Sequence, residues 1–125
     1  MSIIYANHIQ WQGDYDKALL QAREEHKVLM VLLIKNSCHE CKNIVTNLFM
    51  NKTYIDELNK NVISVIVNID NKHSFPLEMY WANDYPTLFF VDSQNESFID
   101  EPMYNVTQKN IQNILLKLNT TKPKK

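Results

Sequence analysis

The only two thiols of the chain, Cys38 and Cys41, stand two residues apart in Ser37-Cys38-His39-Glu40-Cys41-Lys42. Sulfur at that spacing can cycle between dithiol and disulfide, hold part of a zinc site, or close a static bridge. Upstream, residues 28–34 form the most continuous apolar run. Downstream, Cys41, Ile44, Val45 and Leu48 fall at i, i+3, i+4 and i+7, one face of a helix. The order expected is a buried strand, a tight bend, and a helix carrying both cysteines in its first turn. A helix N-terminus presents unpaired N–H groups and a partial positive charge. A thiolate there is stabilised, and its pKa falls below the ~8.5 of a free cysteine. Cys38 is therefore expected to be the more exposed and more acidic thiol, and Cys41 the buried one.

Redox cycling is the reading these residues favour, because Cys-x-x-Cys after a strand in a βαβ pattern is a fairly specific signal. Structural zinc needs four ligands, and the chain has no second Cys-x-x-Cys. His8, His26 and His73 are scattered, so metal capture through Cys38, Cys41 and His39 stands only as an alternative. A static bridge would close so short a loop that it constrains the unfolded chain little. No resident metal or cofactor is expected.

The positioning elements follow from periodicity. Residues 1–12 are apolar and partly alternating, an extended lead-in or first short strand. Asp14 can cap a helix whose stripe is Tyr15, Ala18, Leu19 and Ala22. Residues 28–35 and 62–69 read as strands buried on both faces. Between them lie the motif helix, over residues 38–50, and a second helix over residues 52–59 presenting Tyr54, Ile55 and Leu58. Strand, helix and strand in this order require a right-handed crossover and a parallel pair. Pro76 suits the first turn of a short helix through Trp81, with Leu77 and Tyr80. Residues 88–91 and 97–100 form a hairpin around the turn residues 92–95. Thr107 caps a last helix with Ile111, Ile114, Leu115 and Leu118 on one face. Gly13 is the only glycine, so asparagine is expected to serve several turns.

The 125 residues, 45% of them hydrophobic, fit one domain with one core, residues 120–125 forming a flexible basic tail. A net charge of −1 gives no electrostatic footprint for nucleic acid. No run approaches the ~20 apolar residues of a membrane helix. Residues 1–12 lack the charged start and hydrophobic centre of a signal peptide, leaving either a cytosolic protein or a mature form with its signal removed.

Cys38-His39-Glu40-Cys41 at the start of a crossover helix, with Tyr85-Pro86-Thr87 ahead of the hairpin, resembles the thioredoxin superfamily over nearly the whole chain. Trp11 through Asp16 to Lys27 is similar to the lead-in of bacterial thioredoxin-like proteins related to periplasmic disulfide-interchange domains. The resemblance implies an α/β thioredoxin fold: a central mixed sheet flanked by helices, with a β/α extension before βαβαββα. It implies a thiol–disulfide oxidoreductase, in the reductase direction, acting on protein thiols or disulfides with a partner redox protein, as a monomer of the periplasm or cytoplasm. Cys38 would be the nucleophile, Cys41 the resolving thiol, and Pro86 cis. Tyr85, Pro86 and Trp81 would face the substrate. Relatives often carry an aromatic residue where this chain has Ser37, and a buried acid where it has Leu32. Between the cysteines His39-Glu40 replaces the more usual Gly-Pro or Gly-His. A protonated His39 would stabilise the thiolate and Glu40 would oppose it. A binding module of the same fold, without turnover, is the alternative from a different class.

Overall fold

In a computed structural model, residues 9–47, 52–71, 76, 78–80, 82, 84–104 and 106–121 are described. The elements are β1 (Trp11–Gln12), α1 (Tyr15–Glu25), β2 (Val28–Ile34), α2 (His39–Asn47), α3 (Lys52–Asn61), β3 (Val62–Asn68), β4 (Thr87–Asp92), β5 (Ser97–Phe98) and α4 (Gln108–Thr121). They form a thioredoxin-like arrangement, a mixed sheet of order β1-β3-β2-β4-β5 flanked by helices. β2 and β3 pair in parallel from Val28↔Val62 to Ile34↔Asn68, as the crossover requires. β4 returns antiparallel to β2.

β2 lies at the centre because it can be apolar on both sides: Leu29, Met30, Val31, Leu32 and Leu33 are all 0% exposed. Alternation divides them between two layers. Leu29, Val31 and Leu33 join Val65 and Phe89 against Tyr15, Ala18, Leu19 and Ala22 of α1. Met30 and Leu32 join Leu88 and Phe90 against Ile55 and Leu58 of α3 and Ile111, Ile114, Leu115 and Leu118 of α4. Ile44 and Val45 of α2 pack onto this second layer. Each fully buried side chain of this size contributes ~1.5–3 kcal/mol.

Both expected caps form. Asp14 is extended, and its Oδ1 accepts the Lys17 N–H at 3.1 Å. Thr107 Oγ1 accepts the Asn110 N–H at 3.2 Å. Asparagine serves turns as expected, but the left-handed backbone positions fall on other residues. Among the described residues they are His26 (φ 56°), Ser37 (φ 56°) and Glu96 (φ 55°). Asn36 and Asn95 do stand in turns, but the neighbouring residue takes the left-handed conformation. His26 is the C-cap of α1, and the following Lys27 N–H reaches back to Ala22 O at 2.9 Å. Where a short helix was expected after Pro76, Glu78 and Met79 form a turn, with the Met79 N–H on Pro76 O at 3.1 Å. α4 extends to Thr121, into the expected tail. Leu48, Leu77, Trp81 and residues 122–125 lie outside the described residues. No helix among the described residues is long and apolar enough to cross a membrane.

Candidate active site at the start of the motif helix

Cys38 and Cys41 form a disulfide, with Cα atoms 5.3 Å apart. Cys38 directly precedes α2, where a serine or aspartate commonly caps a helix. Its sulfur does the work of such an oxygen: the Cys41 N–H donates to Cys38 Sγ at 3.0 Å. The Lys42 N–H points at Cys38 O, 3.4 Å away. Ser37, in the left-handed region, turns the chain from the end of β2 into this position. Cys38 is half-buried, whereas Cys41 is 4% exposed. The two sulfurs thus stand in different surroundings although they are one turn apart. His39 and Glu40 are exposed, and Glu40 lies in the first turn, where an anion favours the helix.

The loop carrying Cys38 is held by a cluster that spacing alone did not reveal. The Asn36 N–H donates to Asp70 Oδ2 at 2.9 Å, and Asn68 Nδ2 donates to Asn36 Oδ1 at 2.9 Å. The Asp70 N–H closes the loop onto Asn68 Oδ1 at 2.9 Å. These residues meet because β2 and β3 end in register at Ile34↔Asn68. A sequence signal did exist: polar residues follow two parallel apolar strands at matching ends.

An open cleft of about 620 Å³ runs beside the sulfur, lined by Lys35, Ser37, Cys38, His39, Lys42 and Val45 among others. Lys35 links it to the hairpin side, its Nζ lying 5.2 Å from the centre of the Tyr85 ring. That distance is in cation–π range. Burial, with the Asp70 charge adding, pushes the Tyr85 hydroxyl above the usual tyrosine range. The Tyr85–Pro86 bond is cis and Pro86 is buried. Thr87 Oγ1 donates to Asp84 O at 2.6 Å. Trp81, the remaining residue expected to face a substrate, is outside the described residues. Among the described residues no group of three or more His, Cys, Asp or Glu side chains is placed to hold a metal ion.

A family model described as thioredoxin-like matches residues 10–93. Among solved structures, a candidate disulphide-isomerase from Bacteroides thetaiotaomicron superposes with a TM-score of 0.71 at 20% identity, covering 94% of this chain and 98% of its own. A thioredoxin from Thermus thermophilus gives 0.74 at 17% identity, covering 89% and 87%. A poplar thioredoxin h gives 0.65 at 16% identity, covering 86% and 89%. At these identities the likeness is one of fold. A search among curated proteins finds no match.

Proposed function

The chain belongs to the thioredoxin-like family, and from that premise we propose that it is a thiol–disulfide oxidoreductase acting on protein substrates, in the reductase direction. The observation that carries this is the Cys41 N–H directed at Cys38 Sγ at the start of α2. A donor and a helix dipole aimed at sulfur stabilise a thiolate there once the disulfide is reduced.

In the reduced protein, Cys38 thiolate attacks one sulfur of a substrate disulfide. A Cys38–substrate disulfide forms, and the other substrate sulfur leaves as a thiolate and takes a proton. Cys41 loses its proton and attacks Cys38 Sγ, reforming the intramolecular disulfide and releasing the second substrate thiol. Two electrons have passed from the protein to the substrate, and a partner dithiol must return them. Tyr85 and Pro86, with Trp81, are proposed to receive the substrate chain, and His39 and Glu40 to tune the thiolate in opposite senses. Reduction of substrate leaves the pair as the disulfide that the structure holds.

Insulin reduction with dithiothreitol as electron source tests this. The protein should accelerate it, Cys38→Ser should abolish the acceleration, and Cys41→Ser should accumulate a mixed disulfide. An intact fold with no acceleration above dithiothreitol alone would favour a binding module in which the cysteines are passengers.

A further inference from the structure

We propose that the cleft beside Cys38 selects acidic polypeptide, so that preferred substrate cysteines are flanked by Asp or Glu; this rests on the oxidoreductase reading above. Apart from the cysteines, the ionisable side chains lining the cleft among the described residues are Lys35, His39 and Lys42, with no carboxylate among them. All three are exposed, so they can meet a ligand without the desolvation penalty of buried charge. They approach the sulfur from two elements. Lys35 directly follows β2, His39 opens α2, and Lys42 lies one turn further on. The positive end of the α2 dipole adds to the charge of the two lysines.

The carboxylates of Glu40 and Asp70 lie outside the lining. Glu40 is exposed and absent from the cleft wall. Asp70 accepts the Asn36 N–H at 2.9 Å and is likewise absent from the wall. The chain as a whole carries a formal charge of −1, so it offers no general attraction for acidic partners. A preference for them would belong to this cleft. Complementarity of this kind acts mainly on encounter and on choice of partner, and it weakens as salt rises.

Two synthetic peptides of equal length test the proposal. Each has one internal disulfide, flanked by glutamates in one and by lysines in the other. The reduced protein is mixed with each under single-turnover conditions, alongside the uncharged 2-hydroxyethyl disulfide. The second-order rate constant for the glutamate peptide should exceed that for the lysine peptide by roughly five- to tenfold at low salt, and approach parity at an ionic strength of about 0.5 M. The double reversal Lys35→Glu, Lys42→Glu should invert the ratio, which is read independently of the absolute rate.

Equal rates for both peptides, or a preference for lysine, while the uncharged disulfide is reduced would overturn the selectivity and leave the oxidoreductase reading standing. Failure to reduce any of the three would count against that reading instead. Anisotropy of labelled peptides, with serine replacing cysteine, then reads charge preference on the oxidised protein. Tighter binding of the glutamate peptide upholds the proposal, and equal affinity overturns it.

Discussion

On the α1 face of the sheet, buried oxygens have partners. Tyr15 Oη and Tyr80 Oη lie 2.8 Å apart, and the Tyr15 hydroxyl donates to Glu96 Oε2 at 3.0 Å. Arg23 extends the group, with Nε donating to Ser93 O at 2.7 Å and a guanidinium nitrogen 3.9 Å from Glu96 Oε1. The face beneath the motif helix is hydrocarbon, from Met30 and Leu32 to Leu88 and Phe90. Alternation puts Ser64 on this second face, and its Oγ is buried with no hydrogen-bond partner among the described residues. Buried polar groups are stable where acceptors and donors converge on them, and costly where they do not. Apart from Ser64 this layer is apolar, with Leu32 in the same cluster onto which Ile44 and Val45 of α2 pack. That hydrocarbon layer supports the fold, and no carboxylate among the described residues is part of it.

The strongest challenge to this contrast is to place a carboxyl on the dry face. Leu32→Asp should destabilise the protein by roughly 3–5 kcal/mol, measured by urea unfolding, because a charge or its proton is then buried without partners. In the same variant, stopped-flow kinetics should show faster resolution of the mixed disulfide near neutral pH. Equal rates in a folded variant would identify another group as the base, with Glu40 the first to examine.

The tyrosine face should respond to alkali. Burial pushes both hydroxyls above the ordinary tyrosine value of 10.0; for Tyr15 the bonds to Tyr80 and Glu96 add to this, and for Tyr80 the Glu96 charge adds while the Tyr15 bond pulls the other way. The unfolded chain thus releases these protons first. Stability from this pair is complete below about pH 10 and is lost as pH rises beyond it, by at most ~1.4 kcal/mol per pH unit for each tyrosine. Urea midpoints measured across that range should fall, and the fall should be shallower in Tyr15→Phe.

The helix caps sharpen the comparison, since each face has one. Asp14→Ala on the α1 side and Thr107→Ala on the α4 side should each lose ~1 kcal/mol, read as equal shifts in thermal midpoint. A much larger loss at Asp14 would mean that the tyrosine network depends on how α1 enters. The smallest effect is expected at Ser64. Removing a buried hydroxyl that has no partner among the described residues, in Ser64→Ala, should leave stability unchanged or raise it by less than ~1 kcal/mol. A clear loss would reveal a partner for that oxygen.

Much of this molecule was legible before folding. Residues 28–34 and 62–68 announce buried strands by composition, and α1 and α4 announce themselves by apolar spacing and by Asp14 and Thr107. Glu78 and Met79 form a turn rather than the expected helix because spacing that suits a helix face also suits a single turn. Asn36, Asn68 and Asp70 carry no distinctive spacing, because polar residues after strands look like any loop.

By itself the sequence determined the order of elements apart from the turn at Glu78 and Met79, the sheet's central strands and the place of Cys38 at a helix start. Those features depend on local spacing and on backbone groups a few residues apart. Only the tertiary structure decided which side chains meet across the chain. Tyr15 finds Tyr80 and Glu96, 65 and 81 residues away, and Asn36 is fastened by Asn68 and Asp70. Lys35 lies over Tyr85, and His26, Ser37 and Glu96 take left-handed backbone conformations that are uncommon outside glycine. Such contacts follow from strand register and layer packing, which many weak interactions set together and which no short window of residues contains.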